Sequence, residues 1–244
     1  MFIYAGYSDK GAVSPVNQDC IMVNGEIRDN FEDTNADSFH AVVCDGVGGE
    51  AHGEMAARLT AESMAALKQP YQWTSIQQQL ELANQSILEK QKADPLYFNM
   101  ATTIAGVAFS GSHAVCFNIG DSRIYAFHDH AEQISIDHTY VQLLLNENPS
   151  ITIKDIPEEQ RRIVLKCLGR EGGHKGAYMC LEPFQAGEMV LLSSDGLHDA
   201  VSACDIENIL RDEQTLFEKC KALVSLAISG GSNDNISVII CKVV

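Results

Sequence analysis

Short apolar runs that stop abruptly at an acidic residue and glycine alternate along this chain with stretches of helical periodicity. Phe39–Cys44 is an apolar run with β-branched members and predicts a buried strand. It ends at Asp45-Gly46, followed by Gly48-Gly49. Asp-Gly is a strong hairpin signal, but residues 51–68 read as a helix rather than as a returning strand. The pattern recurs at Met189–Ser194, which ends in Asp195-Gly196 and again leads into a helical segment.

The remaining elements follow from the same patterning. Phe2–Ser8 and Asp19–Val23 read as strands, and Gly25–Ser38 as a polar, acidic surface loop. From His52 to Lys68, Met55, Leu59, Ala66 and Leu67 form an apolar stripe that Pro70 ends. Thr74 is the expected cap of a second helix, with Ile76, Leu80, Ala83 and Ile87 on one face and Asp94-Pro95 as its stop. Strands are expected at Thr102–Phe109, Ala114–Ile119, Ile124–Phe127 and Ile134–Ile136, and a short helix at Tyr140–Leu145. Residues 146–162 are polar and read as a mobile excursion over the site, and Gly169–Gly176 as a loop. Tyr178–Leu181 and Met189–Ser194 are the next strands, and Ala203–Arg211 is helical. Leu216, Phe217, Cys220, Leu223, Val224, Ala227 and Ile228 form the clearest helical stripe, which Gly230-Gly231 ends. Asn235–Val243 is a Val/Ile-rich strand with the character of a central one. There is no internal repeat, low-complexity tract or linker, so residues 1–244 are expected to form a single domain. The order of elements implies an α+β fold with mainly antiparallel sheets.

Composition narrows the function. The formal charge of −16 and the pI near 4.7 disfavour nucleic acid and anionic lipid as partners. An anionic substrate would need local positive charge, such as a bound metal. The eight cysteines are scattered without a Cys-x-x-Cys spacing and read as small core residues in a reducing compartment. The N-terminal residues lack the pattern of a signal peptide, and no apolar run reaches the ~18 residues of a membrane span. Cytoplasm is the expected location.

Five carboxylates stand beside glycine or at strand ends: Asp19, Asp45, Asp121, Asp195 and Asp234. A carboxylate at the end of a buried strand is costly to desolvate without a partner. An oxygen-only donor set suits Mg²⁺ or Mn²⁺ better than Zn²⁺. Duller readings stand beside this one. Gly120-Asp121-Ser122 also suits a hairpin turn. Arg123 suits a structural ion pair, His138 a capping or supporting role, and His52 a solvated first turn. Thr102 and Thr103 suit bonds to backbone or support of a ligand.

Taken together the motifs resemble those of the metal-dependent serine/threonine protein phosphatases, the protein phosphatase 2C family, of bacterial type. The resemblance runs through Ser8-Asp9-Lys10-Gly11, Asn17-Gln18-Asp19, Asp45-Gly46-Val47-Gly48-Gly49, Ala101-Thr102-Thr103, Gly120-Asp121-Ser122-Arg123, Asp137-His138-Thr139, Ser194-Asp195-Gly196-Leu197 and Asp234-Asn235-Ile236. It implies a four-layer sandwich of two antiparallel β-sheets flanked by helix pairs, with two Mn²⁺ or Mg²⁺ ions per subunit at one end and a weaker third position. By resemblance, Asp45 bridges the two ions and the Gly46 carbonyl binds the first. Asp195 and Asp234 hold the second, Asp19 reaches the centre directly or through water, and Asp121 with Asp195 matches the third position. Two such ions about 3.5–4 Å apart activate a water that attacks phosphorus in line with the leaving serine or threonine oxygen.

Two positions depart from the family pattern. Ser14 stands where members carry an arginine that grips the substrate phosphate, and Lys10, Arg58 or Arg170 are the cations considered as substitutes. Val47 stands where some relatives carry a histidine. A high KM for small aryl phosphates is expected, lowered in Ser14→Arg. The expected activity is hydrolysis of phosphoserine and phosphothreonine in products of a serine/threonine kinase, by a monomer. The alternatives are a non-catalytic phosphoprotein-binding scaffold and a hydrolase of small phosphate esters.

Overall fold

The computed structural model describes residues 1–47, 52–69, 71–111 and 113–244. The expected glycine pair 48–49 and the helix stop at Pro70 lie outside the described residues. Among the described residues, twelve strands form two six-stranded sheets. One sheet joins β4 (Asn30–Ala36), β1 (Phe2–Asp9), β12 (Ile236–Val243), β11 (Met189–Ser193), β8 (Arg123–Phe127) and β9 (Ala131–Gln133), in that order. The other joins β10 (Tyr178–Pro183), β7 (His113–Ile119), β6 (Ile104–Ser110), β5 (His40–Cys44), β2 (Cys20–Val23) and β3 (Glu26–Ile27). The pairings are antiparallel, and β12 is an interior strand, as its continuous Val/Ile run implies.

Three apolar layers hold this together. Between the sheets, Phe39, Ile21, Val43, Val107, Ile124, Leu192 and Ile239 interdigitate. Helices α1 (Gly53–Ala65) and α2 (Trp73–Ala93) cover the second sheet, burying Met64, Ile76, Leu80 and Ile87 on Phe117 and Ile119. On the first sheet, α6 (Ala203–Arg211) and α7 (Leu216–Ser229) bury Ile206, Leu210, Leu223 and Val224 on Leu191 and Ile240. The four-layer α+β sandwich of antiparallel sheets with helix pairs outside is therefore the observed architecture. All eight cysteines are free thiols.

Three expectations need correction. Residues 30–36, expected in a loop, form the edge strand β4, whose Asp33 carboxylate accepts hydrogen bonds from the Leu216 and Phe217 amides at the start of α7. The strand expected at 134–136 lies at 131–133; Ile134 marks the packing contact, while the ladder with β8 forms just before it. Thr74 is not the cap of α2, which begins one residue earlier behind Gln72. The excursion 146–162 contains two short pieces, a 3₁₀ turn at Ile153–Asp155 and α4 (Glu158–Arg161). Its first two residues belong to the end of α3 (Tyr140–Glu147), which Thr139 caps through Gln142 N–H.

Candidate metal centre

The strand registers bring one set of ends together. β5 ends next to Asp45, β7 runs into Gly120-Asp121, β11 stops before Asp195, β2 starts after Asp19, and β12 starts after Asp234. Asp45, Asp121, Asp195 and Asp234 line one cavity of about 240 Å³, with Val47, Thr103, Arg162 and Val164. Four of the five carboxylates singled out in the sequence thus share one opening. Asp19 stands behind them, its Oδ2 accepting from Ser194 Oγ at 2.8 Å.

The two Asp-Gly pairs prove to be close-approach sites and not hairpins. A Cβ at Gly46 would stand 2.5 Å from the Gly53 carbonyl carbon and 2.8 Å from the Gln18 oxygen. At Gly196 it would meet the Asn235 carbonyl oxygen at 2.1 Å. Each glycine lets the strand end press against a neighbouring backbone, which sets the aspartate before it. The second pair itself opens a helix, the single turn α5 (Asp195–His198), behind Ser194.

A polar frame fixes the acidic end. Thr102 Oγ1 and Thr103 N–H donate to the Asp45 carbonyl at 2.7 and 2.8 Å. The hydroxyls of Thr103 and Ser122 share a 2.6 Å bond beside Asp121. Asn235 clamps the loop that carries Asp19: its Nδ2 donates to the Lys10 and Val16 carbonyls, and its Oδ1 accepts from Gln18 N–H. Ser194 Oγ accepts from Ser237 N–H while donating to Asp19. Arg123 forks onto Asp137 at 2.6 to 3.1 Å, the structural pair its sequence context suggests. His138 Nδ1 accepts from Gly120 N–H, and burial pushes this imidazole down to about 4, so it supports the Asp121 turn as a neutral ring. His52 begins α1 in the left-handed region and reaches Glu54.

Electrostatically the cavity is an accumulation of like charge. Burial, then the carboxylates of Asp195, Asp19, Asp121 and Asp234, push Asp45 well above the usual carboxylate range. Burial and the charges of Asp121, Asp234 and Asp199 do the same to Asp195. Burial lifts Asp19 to about 7 against the hydrogen bonds of Ser237 and Ser194, with Asp234 adding to the rise. Asp121 rises to about 6 for the same first reason, with Asp137 and Asp199 contributing. Asp19 Oδ1 and Asp195 Oδ1 are buried with no hydrogen-bond partner. Oxygens left without a hydrogen-bond partner in a carboxylate-lined cavity are what a hard divalent cation satisfies, so the donor set fits Mn²⁺ or Mg²⁺. Among the described residues no three His, Cys, Asp or Glu side chains already stand in the close array that grips one ion; Asp45, Asp121, Asp195 and Asp234 are spread over the cavity wall.

Arg162 is the functional candidate that the sequence motifs do not reveal. It reaches the cavity from the far end of the excursion, where no local pattern marks it. Of the cations that the sequence offers in place of an arginine at Ser14, Arg58 pairs with Glu62 on α1, and Arg170 donates to the Asn99 and Gly169 carbonyls. Neither these two nor Lys10 is among the residues that line the cavity.

Comparison with known proteins places the chain. Residues 16–230 match the family model described as protein phosphatase 2C. The serine/threonine phosphatase stp of Listeria monocytogenes is 30% identical, the match covering 96% of this chain and 93% of that protein. The serine/threonine protein phosphatase PstP of Mycobacterium tuberculosis is 29% identical over 99% of this chain, which spans only 45% of that relative's length. The crystal structure of the Mycobacterium tuberculosis phosphatase PstP/Ppp superposes with a TM-score of 0.84 at 30% identity, covering 99% of this chain and 98% of that one. A structure of the PstP catalytic domain in complex with two manganese ions superposes at 0.81 with 28% identity, both chains being fully covered. With the carboxylate-lined cavity at the end of a four-layer sandwich, these matches establish that the chain belongs to the protein phosphatase 2C family.

Proposed function

We propose that this protein is a metal-dependent phosphoprotein phosphatase acting on phosphoserine and phosphothreonine. The observation that carries this reading is the convergence of Asp45, Asp121, Asp195 and Asp234, from four separate strand ends, on one cavity. Asp45, Asp195 and Asp234, the Gly46 carbonyl, and Asp19 behind them would hold two Mn²⁺ or Mg²⁺ ions; Asp121 with Asp195 would serve a weaker third. Bound there, such ions supply the Lewis acidity that activates water near neutral pH and offsets charge on a phosphoryl group.

The chain's own residues do the rest. Thr102 and Thr103 hold the Asp45 carbonyl and keep that carboxylate at the cavity wall. Asn235 and Ser194 fix Asp19 from below. Val47 and Val164 add apolar wall to the cavity and so limit access of bulk solvent. Asp45 and Asp195, whose pKa values are raised in the ion-free cavity, release protons when ions bind. On this reading the substrates are products of a serine/threonine kinase, and the protein works as a monomer in the cytoplasm, a setting its free thiols suit. No helix among the described residues is long and apolar enough to cross a membrane.

The test is phosphate release from a phosphothreonine peptide, assayed with Mn²⁺ and with chelator, beside a nucleotide and a sugar phosphate. Release from the peptide should depend on Mn²⁺, vanish in Asp195→Asn, and exceed release from the two small esters. A peptide left untouched while a small ester is hydrolysed would replace this reading with that of a small-phosphate hydrolase.

A further inference from the structure

Among the described residues lining the carboxylate cavity, Arg162 is the one cationic side chain. Its position is fixed by the backbone that follows it. Tyr140 N–H donates to the Ile163 carbonyl at 2.9 Å, Thr139 and Val164 form an isolated bridge, and Leu165 N–H donates to the His138 carbonyl at 2.7 Å. His138 N–H in turn donates to the Gly120 carbonyl, next to Asp121. A short ladder thus ties the segment carrying Arg162 to the wall of the cavity. Arg161, the neighbouring cation, is committed elsewhere, its Nε donating to the Ile156 carbonyl at 2.9 Å.

The guanidinium itself is loosely held. Its ion pair is with Asp199 at 3.6 Å, beyond hydrogen-bond length, and its side chain is 71% exposed. An exposed pair of this kind contributes little to stability, so leaving it is cheap. A solvated surface arginine would account for the exposure, but not for a place on the wall of a carboxylate cavity at the end of an anchored ladder. A phosphate ester needs donors for the phosphoryl oxygens that do not face the ions, and a planar fork is the side chain best matched to two of them. Ser14 offers no such charge.

Building on the phosphatase reading above, we infer that Arg162 is the substrate-binding cation of this site. It exchanges Asp199 for two phosphoryl oxygens of the phosphoserine or phosphothreonine side chain. The segment 162–165 then contributes directly to substrate affinity, and the grip on phosphate comes from the excursion after α3 rather than from the stretch before Asn17.

Calorimetric titration of the Mn²⁺-loaded full chain with inorganic phosphate tests this without relying on turnover. Arg162→Ala should weaken phosphate binding by about tenfold to a hundredfold. Arg162→Lys should recover part of the loss, because it restores charge without the fork. Lys166→Ala, which removes an exposed charge from the same segment, should stay within about twofold, and all variants should bind Mn²⁺ as the parent does. With the phosphothreonine peptide, Arg162→Ala should raise KM far more than it lowers kcat. Equal phosphate binding by the parent and Arg162→Ala, an equal loss in Lys166→Ala, or no phosphate binding by the parent would each overturn the inference. Phosphate binding that depends on Arg162 in a protein unable to hydrolyse the peptide would uphold it and sink the phosphatase reading instead.

Discussion

At one end of the sandwich, Asp45 and Asp121 are buried, Asp19 and Asp195 are half-buried beside them, and the pKa values of all four are pushed upward. At the other end, where β8, β10 and β11 have their opposite termini, acids are matched with bases. His128 lies between Glu182 and Glu188, with N–O distances of 3.3 and 2.9 Å. Glu207 accepts from His130, Arg211 and the Ala131 amide, which together lower its pKa to about 2. The same chain, strongly acidic overall, has therefore matched its carboxylates with bases at one end and gathered them without a cationic partner in contact at the other, where Asp19 Oδ1 and Asp195 Oδ1 have no hydrogen-bond partner. Repulsion stored at the first end is what divalent ions relieve, so stability and activity should respond in opposite directions there.

The largest effect should come from Asp45→Asn. It should lower Mn²⁺-dependent phosphatase activity by about two to three orders of magnitude. It should also raise the Tm of the metal-free protein, since one member of the repelling group is gone. Differential scanning calorimetry in chelator checks this; a lower Tm than the parent's would break the contrast between the two ends.

The next effect is a pH dependence confined to the metal-free state. Asp19 and Asp121 titrate near 3.8 when unfolded, and at about 7 and about 6 when folded. The folded chain keeps protons that the unfolded chain releases, so rising pH favours unfolding. Their contribution is present below about 3.8 and is lost as pH climbs through 6 to 7. Urea midpoints in chelator should therefore fall between pH 5 and 8, and saturating Mn²⁺ should abolish most of the fall. A flat profile in chelator would contradict the stored repulsion.

Arg123→Ala sharpens the comparison by leaving another carboxylate unpaired next to the site. Asp137, only 10% exposed, would lose its forked partner. A loss of about 2–3 kcal/mol in urea unfolding is expected, below the value for a fully buried pair because Arg123 is partly solvated. The smallest effect belongs to the other end. Burial works against a charged His128, but Glu188 and Glu182 outweigh it and raise its pKa. Its contribution is present below about 6.5 and disappears as pH rises through the folded value. His128→Gln should thus cost less than about 1 kcal/mol, and only on the acidic side of neutrality.

Much of this contrast is legible in the sequence, for reasons that can be named. An apolar run that stops at Asp-Gly and leads into a helix has no hairpin to make, so Asp45 and Asp195 stand out without a structure. The stripe from Leu216 to Ile228 gives α7 because Leu216, Cys220, Leu223, Val224 and Ala227 are buried in the layer it shares with the first sheet, with Phe217 and Ile228 half-buried at its margin. The strand β4 is hidden because only Phe31 and Ala36 are buried or half-buried, while Glu32, Thr34 and Asn35 are exposed and Asp33 reaches the start of α7 instead of the core. Acidic residues on an edge strand deter pairing with a second chain and erase the alternation that marks a strand. Arg162 is hidden for a different reason. Its role depends on a backbone ladder between residues 138–140 and 163–165, a juxtaposition that no local spacing encodes. The clamp made by Asn235 lies between these cases: the residue belongs to a visible motif, but its three partners in the loop 10–18 do not.

The central claim is that the gathered carboxylates exist to hold divalent ions. Isothermal titration of the metal-free protein with Mn²⁺ tests it most directly, with Asp45→Asn in parallel. The claim predicts two ions taken up per chain, with protons released, and loss of tight binding in the variant. Uptake of none, or uptake by Asp45→Asn with the parent's stoichiometry and affinity, would contradict it.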